Sequence, residues 1–140
     1  MVARPAGLGE ADSGGGPRGA TLNLLGSAVD PRSLGGAARY THEVSGVPVL
    51  VTEHGVAVED DTLRAGFIEP SLAGLLDAIE DGVPVLGYCH WTLLDNFDWT
   101  VGYDTSHFGP HTVDRETFSR VPKPSARGYA AIATSRTVRG

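Results

Sequence analysis

The residues that decide the fold form a pentapeptide, GVPVL, which occurs at 46–50 and again, 36 positions later, at 82–86. Each copy follows a segment with helical periodicity, supplies a glycine that can end that helix, and continues into a short apolar run typical of a strand. Common small residues can match by chance, but two successive αβ units explain both copies and their order. We therefore predict an α/β fold in which two parallel strands are joined by a right-handed connection.

The elements around the repeat follow from the same kind of pattern. Asp30 and Pro31 are suited to begin a helix that ends before Gly46, and a second helical segment begins near Thr62 and is interrupted by Pro70. The predicted elements are a helix at 31–45, a strand at 47–51, a helix at 70–81, a strand at 83–89, a hairpin at 108–118 and a helix at 124–135. Both strands are apolar throughout, which predicts that they are buried on both faces of a parallel sheet.

Length and composition exclude several classes of protein. The chain has 140 residues and a formal charge of -6, whereas a complete (β/α)8 barrel needs roughly 250 residues. The acidic balance argues against nucleic-acid binding, and no apolar run approaches the roughly 20 residues that cross a bilayer, so we expect no membrane partner. No signal peptide is visible, so a cytoplasmic location is the expectation.

The first part of the chain differs from the rest. Residues 1–28 lack the periodicity of 29–140 and contain a glycine-rich stretch. We predict that 1–20 is flexible, because such a segment buries too little apolar surface to offset its ordering entropy. An ordered surface loop of a larger protein is an equally good interpretation.

Glu53 is the sharpest candidate for chemistry. It follows an apolar strand, and the functional side chains of parallel α/β folds lie at the C-terminal ends of their strands. A carboxylate fixed by a rigid strand, with Gly55 permitting a tight exit close to a ligand, suits a nucleophile or a general base. A strand-end glutamate that caps the following turn is the alternative.

A group of aromatic residues follows the second strand. Trp91, Phe97 and Trp99 are interleaved with acidic and amide side chains. Indole rings pack on the C–H face of a pyranose, while carboxylates and amides bind its hydroxyls. This composition is consistent with a sugar site, although an aromatic cluster that closes a core explains the same residues.

The histidines and the cysteine give no metal or cofactor motif. His54 and His90 end adjacent predicted strands, but no carboxylate stands at a diagnostic ligand spacing, so we interpret them as hydrogen-bonding residues of a cleft. Cys89 lies within an apolar strand and is interpreted as buried filler. The glycines at 14–16 lack the lysine and the preceding strand of a phosphate loop, so no cofactor is predicted.

Two motifs resemble glycoside hydrolase family 1, the β-glucosidases. Residues 49–55, VLVTEHG, are similar to the V-T-E-N-G nucleophile strand of that family, and residues 82–99 resemble its last barrel strand, G-Y-x-x-W-S-L-L-D-N-F-E-W. Shorter motifs continue in the same order, and the resemblance covers about 26–135. It implies the C-terminal portion, about the last two to three αβ units, of a (β/α)8 barrel.

The resemblance also implies an activity and roles for single residues. In a retaining β-glycosidase, Glu53 would attack the anomeric carbon of the substrate. Trp91 would be the platform under the glycone ring, Asp98 would bind the outer hydroxyls, Trp99 would contact a ring hydroxyl through its indole N–H, and Phe108 would also contact the substrate. That substrate would be a β-glucoside or a related small saccharide, bound without a metal or cofactor.

Two positions depart from the family's pattern, and one motif is missing. His54 stands where the family has Asn, and Asp98 stands where it has Glu, one methylene longer. The acid/base carboxyl group of the family lies in an N-E-P motif, which does not occur in this sequence. The resemblance therefore implies that the isolated chain is inactive, and that as a partial barrel it is marginally stable, aggregation-prone or dependent on a complementing N-terminal barrel fragment. A non-catalytic remnant or a weak sugar-binding fragment is the alternative.

Overall fold

Two parallel strands and the helices that precede them form the centre of the fold. The computed structural model describes residues 19–99, 102–103 and 107–138. In chain order, its elements are α1 (Ser33–Ser45), β1 (Val49–His54), α2 (Asp61–Glu80), β2 (Val85–His90), β3 (His111–Val113), β4 (Arg120–Pro122) and α3 (Pro124–Ser135).

The structure confirms that the repeated pentapeptide marks two adjacent αβ units. β1 and β2 are parallel neighbours, and Val49 pairs with Val85, which occupies the same position in the other copy of the repeat. Gly46 ends α1 in the left-handed region at φ 69°, and Gly82 follows α2 at φ 96°, conformations that strongly favour glycine. The repeat therefore marks both helix ends and the first pairing of the sheet, and the register shifts at the next residue, where Leu50 pairs with Gly87.

The predicted burial of both strand faces is wrong. Val49 and Val51 pack into a core with residues of α1 and α2, but Leu50 is 53% exposed and Leu86 is 70% exposed. Side chains alternate across a strand, and in the described residues helices cover only one face of the pair. Both strands also begin and end later than predicted, so Glu53 lies within β1 rather than after it.

One core cluster packs α1 and α2 against the covered face of the sheet. Its buried members are Leu34, Ala38, Val49, Leu75, Ala78 and Val83. The two helices approach closely at Gly35, where an added Cβ atom would lie 2.3 Å from the carbonyl oxygen of Gly74. A second cluster consists of Val56 and Val58, which follow β1 in the chain, and Phe67 of α2.

The interruption predicted at Pro70 is absent, and α2 is continuous from Asp61 to Glu80. Proline cannot donate the hydrogen bond to the carbonyl of Gly66, which costs about 3 kcal/mol in a helix interior. The helix persists because its buried side chains lie on both sides of the proline, including Phe67 and Leu75. Asp60 starts the helix, and its carboxylate accepts a hydrogen bond from the N–H of Thr62 at 2.8 Å.

The remaining elements differ from the predictions mainly in their boundaries. The hairpin consists of β3 and β4, farther along than 108–118, and α3 begins and ends as predicted. The first helix begins at Ser33, and Asp30 accepts a hydrogen bond from the N–H of Arg32 instead of acting as the N-cap residue.

Only part of the predicted flexible segment can be compared with the structure, because residues 1–18 lie outside the described residues. Within 19–28 the chain forms a turn closed by a bridge between Leu22 and Ala28. The side chain of Asn23 accepts hydrogen bonds from the N–H groups of Leu25 and Ser27, which stabilise this turn.

Apolar side chains remain exposed on the open face of the sheet and in the loops. The largest exposed fractions among them belong to Trp99, Leu86 and Phe118. Over the described ranges, the helices are too short or too polar to cross a bilayer. This exposed surface is consistent with the prediction of marginal stability, which stays a prediction.

Candidate active site

A cleft of about 380 Å³ opens where β1 and β2 end. Its lining residues are Glu53, His54, Gly55, Trp91 and Phe108. Three of the five residues predicted to act on a substrate therefore meet in one cleft: Glu53, Trp91 and Phe108. The carboxylate of Glu53 is exposed, so a ligand can reach it.

An irregularity in the register of the sheet influences where Glu53 points. Val51 pairs with Tyr88 and His54 pairs with His90, so three steps along β1 correspond to two steps along β2. Such an extra residue is a β-bulge, which re-aims the side chains that follow it. Strict alternation from Val49 and Val51 would direct residue 53 towards the helix-covered face, whereas Glu53 lies in the open cleft.

Gly55 holds the ends of the two strands together. We expected it to let the backbone approach a ligand, but the structure brings it against protein backbone: an added Cβ atom would lie 1.7 Å from the carbonyl oxygen of Trp91. The N–H of Trp91 also donates a hydrogen bond to the carbonyl of His54 at 2.9 Å. The segment that carries Glu53 and the residue proposed as the sugar platform are thus in direct backbone contact.

A Gly55→Ala variant is expected to destabilise the chain by about 1–3 kcal/mol, because the backbone at Trp91 must move to admit the methyl group. The urea midpoint and the soluble fraction of the chain measure this loss. Gly36→Ala is the matched control: it lies in α1 with no atom near its missing Cβ, so alanine should leave stability unchanged or raise it. Equal midpoints for Gly55→Ala and the unchanged chain would contradict the expected clash.

Two histidines beside the nucleophile candidate are half-buried and neutral. The Nδ1 atom of His54 lies 2.9 Å from the Tyr88 hydroxyl, and the Nδ1 atom of His90 lies 3.2 Å from the same oxygen. Burial lowers the pKa of His54 to about 4. Burial, with the charges of His54 and Arg64, lowers the pKa of His90 to about 4. Both rings are therefore uncharged near pH 7, and their hydrogen bonding is as predicted.

Acid is expected to destabilise the chain through these two histidines. In the unfolded chain their pKa is about 6.5, so the unfolded state binds more protons than the folded state as the pH falls towards 4. Their contribution to stability is complete above pH 6.5 and is lost as the pH falls through 4. Urea unfolding at pH 7 and pH 5 measures the loss, and His54→Asn should reduce it. His42→Asn, at a half-buried histidine of α1 outside this pair, serves as control, and equal stability at both pH values would contradict the assignment.

The aromatic group predicted after β2 is divided between two places. Trp91 lines the cleft with Glu53, whereas the rings of Phe97, Trp99 and Tyr103 contact one another edge to face. Trp99 is 93% exposed, and neither Trp99 nor Asp98 belongs to the residues that line the cleft. The prediction that both indoles face the same hollow as Glu53 therefore describes Trp91 but not Trp99 in this structure.

Sequence reasoning missed the ion pair that holds the loop after β2. The ammonium group of Lys123 lies 2.8 Å from both carboxylate oxygens of Asp95 and donates to the carbonyl of Gly109 at 2.7 Å. The N–H of Gly109 donates to Asp95 at 3.0 Å. These bonds tie the loop that begins at Trp91 to the segment that carries Phe108. Asp95 lies inside the quoted motif at 82–99, which was the available signal, and Lys123 lies within the range that the resemblance covers.

A second buried charge was also missed. Arg64 has no exposed surface; it bonds to Asp61 and to the carbonyls of Val58 and His107. Burial alone would raise the pKa of Asp61, but hydrogen bonds from the N–H and hydroxyl of Ser125, together with Arg64, lower it. An arginine three residues after an aspartate on an apolar helix was the available sequence signal. This network joins the start of α2 to the start of α3.

Cys89 is exposed, so its interpretation as buried filler is wrong. It lies on β2, where Leu86 is also exposed, and the apolar run around it gave no sign of this exposure. Within the part of the chain that the structure describes, no three His, Cys, Asp or Glu side chains converge as metal ligands would.

A carboxylate and an indole at the C-terminal ends of neighbouring parallel strands define the class: an α/β protein with the kind of site found in barrel hydrolases that act on sugars. The family model described as Glycosyl hydrolase family 1 matches residues 34–138. The chain belongs to this family of glycoside hydrolases.

Individual relatives are consistent with this family. The share of each relative that is covered shows how large a part of such a protein the chain represents. The chain is 35% identical over 130 residues to Beta-glucosidase 26 of Oryza sativa subsp. japonica, covering 86% of this chain and 25% of that protein. The solved structure of the beta-glycosidase BGL167 superposes with a TM-score of 0.83 at 38% identity, covering 91% of this chain and 30% of that one. A beta-glucosidase from Thermotoga maritima, solved in complex with a carbamoylcalystegine derivative, superposes with a TM-score of 0.82 at 28% identity, covering 88% and 30%.

The chain thus spans about a quarter of the length of the curated relatives it matches. Its two αβ units are a partial portion of the (β/α)8 fold of this family, consistent with the predicted fold class.

Proposed function

We propose that this chain is the C-terminal portion, about the last two to three αβ units, of a retaining β-glycosidase, and that Glu53 is its nucleophile. The observation that carries the proposal is the meeting of Glu53 and Trp91 in one cleft at the C-terminal ends of β1 and β2. An exposed carboxylate on a strand beside an indole supplies both an attacking group and a surface for a sugar ring.

The chemistry assigned to Glu53 is a double displacement. A carboxylate oxygen attacks the anomeric carbon, the bond to the aglycone oxygen breaks, and that oxygen receives a proton from a second carboxyl group. Water then attacks the glycosyl ester, transfers its proton to the same second group and releases Glu53 as a carboxylate. Each step requires the second carboxyl group about 5 Å from the first.

The second carboxyl group has no candidate in this cleft. Among the residues that the structure describes, Glu53 is the only carboxylate that lines it. The sequence contains no N-E-P motif. The isolated chain is therefore expected not to turn over substrate, and a complementing barrel fragment would supply the acid/base group together with cover for the exposed face of the sheet.

The substrate that fits this site is a β-glucoside or a related small saccharide. In this proposal Trp91 and Phe108 contact the sugar directly, since both line the cleft. Asp98 and Trp99, for which the family resemblance implies contacts to the outer hydroxyls, do not line the cleft in this structure.

A covalent-labelling experiment tests the proposal. The completed enzyme is a chimera in which this chain replaces the matching quarter of the rice relative. It is incubated with a 2-deoxy-2-fluoroglucoside whose dinitrophenolate leaving group needs no proton. We expect one sugar per molecule, attached to the peptide that contains Glu53. A label on any other carboxylate, or hydrolysis by a folded chimera without a label on Glu53, would refute the assignment.

The second candidate function, a non-catalytic sugar-binding fragment, is favoured by the absence of a second carboxylate from the described cleft. Titration of the 140-residue chain with a glucoside, followed by tryptophan fluorescence, separates the two candidates. Saturable binding by the isolated chain together with an unlabelled chimera would favour the sugar-binding fragment.

A further inference from the structure

A hydrogen-bonded cluster lies directly behind the proposed nucleophile. It consists of His54, Tyr88 and His90, and its centre is the Tyr88 hydroxyl, which lies 2.9 Å from Nδ1 of His54 and 3.2 Å from Nδ1 of His90. The ring of His54 stacks on Phe67 with centroids 4.8 Å apart, and the ring of Tyr129 lies 5.5 Å from that of His90. His54 is also one of the positions where the chain departs from the family pattern.

The hydroxyl of Tyr88 can bridge the two histidines. A phenol has a single hydrogen to donate and can accept through its oxygen, and a neutral imidazole has one N–H. The hydroxyl therefore contacts Nδ1 of both rings while each ring stays neutral, and its remaining contact, to the His54 carbonyl, is 3.5 Å long.

The surroundings of the cluster keep both rings uncharged. The Nε2 atoms of His54 and His90 are buried and have no hydrogen-bond partner among the described residues. An imidazolium would place an N–H at Nε2 with nothing to accept it. The groups that face the cluster from the packed elements are Arg64 on α2 and Tyr129 on α3, with Glu53 next in the chain on β1. The cation of Arg64 further disfavours a charged ring.

The cluster also limits how Glu53 can move. The bulge lies between the pairings of Val51 and His54, so Glu53 itself has no partner residue on β2. The direction of the Glu53 side chain therefore depends on the residues that flank it. His54 is anchored by the stack on Phe67 and by Tyr88, and its carbonyl accepts from the N–H of Trp91. Fixing His54 therefore fixes the C-terminal side of the bulge.

We propose that Tyr88 is a positioning residue for Glu53, acting through His54, whose ring it holds neutral and in one orientation. The proposal rests on the proposed role of Glu53 as nucleophile. Tyr88 touches no reacting atom, so its effect falls on the approach of the carboxylate to the anomeric carbon rather than on ground-state sugar binding.

The test is kinetic and uses the completed enzyme. Tyr88→Phe removes one oxygen and keeps the ring, and we expect kcat to fall about 10- to 100-fold while KM changes less than about twofold. Tyr40→Phe, at an exposed tyrosine of α1, is the matched control and should leave both constants unchanged. In a His54→Asn background, which restores the family residue, the effect of Tyr88→Phe should shrink to less than about threefold.

Several outcomes would overturn this inference. They are an unchanged kcat in Tyr88→Phe, an equal loss in the His54→Asn background, or a Tyr88→Phe chain that does not fold. A neutron structure of the unmutated completed enzyme supplies a measurement independent of any variant. It should show a neutral His54 whose Nδ1 is hydrogen-bonded to the Tyr88 hydroxyl, and finding hydrogens on both nitrogens of His54 would also overturn the inference. An inactive Glu53→Gln with a normal Tyr88→Phe rejects only this inference, whereas an active Glu53→Gln rejects the proposed function itself.

Discussion

Replacing Glu53 by glutamine is expected to lower kcat of the completed enzyme on the order of 10⁴-fold or more, the usual scale for loss of a nucleophile. Gln keeps the size of the side chain but cannot form the glycosyl ester. Because Glu53 is exposed in the cleft and forms no ion pair with the described residues, the substitution should leave the fold and the thermal midpoint unchanged. Steady-state kinetics with an aryl glucoside measure the effect.

The control for this experiment is Glu43→Gln, on the exposed surface of α1, which should turn over substrate at the unmodified rate. A chemical rescue makes the result specific to the nucleophile. In Glu53→Gly, azide should occupy the space of the carboxylate, attack the anomeric carbon from the same side, and give an α-glycosyl azide. Turnover by Glu53→Gln close to that of the control would contradict the assignment of the nucleophile.

Replacing Lys123 by methionine is expected to destabilise the chain by about 3–5 kcal/mol, the usual result of leaving one member of a buried ion pair without its partner. The side chains of Lys123 and Asp95 are 14% and 11% exposed, so the carboxylate left behind is poorly solvated. This loss approaches the whole stability of many small domains. Urea unfolding should show a large fall in the midpoint or no cooperative transition.

Two further variants distinguish the loss of stability caused by breaking this ion pair from the loss caused by breaking an exposed one. Arg32→Met removes an ion pair with Asp30 that is largely exposed, and the urea midpoint should stay close to that of the unchanged chain. In the double variant Asp95→Asn/Lys123→Met no charge remains buried alone, so it should be more stable than Lys123→Met. Similar losses from Lys123→Met and Arg32→Met would show that the pair does not hold the loop.

The sequence allowed the architecture to be predicted where local rules are strong. The repeated pentapeptide predicted two adjacent αβ units, and glycine at Gly46 and Gly82 predicted where the helices end, because positive φ angles favour that residue. Proline at the start of α3 marked that helix correctly. The same motifs placed the chain in its family and placed Glu53 beside Trp91 at the strand ends.

Local rules failed where packing outweighs them. Pro70 does not break α2, because apolar residues on both sides of it are buried. Apolar strands were predicted to be buried on both faces, but Leu50 and Leu86 are exposed, since a side chain is covered only if another element lies over it. The exposure of Cys89 has the same cause.

By itself, the sequence determined the αβ order, the helix ends, the family and the identity of the carboxylate at the strand end. Only the tertiary structure decided which way that carboxylate faces, because its direction follows from a bulge between Val51 and His54. It also decided which contacts hold the segments around it: Tyr88 with His54, Arg64 with the carbonyl of His107, and Lys123 with Asp95. The reason is physical. Helix and turn signals act between residues a few positions apart, whereas these contacts join residues 28 to 43 positions apart, and only the folded chain brings them together.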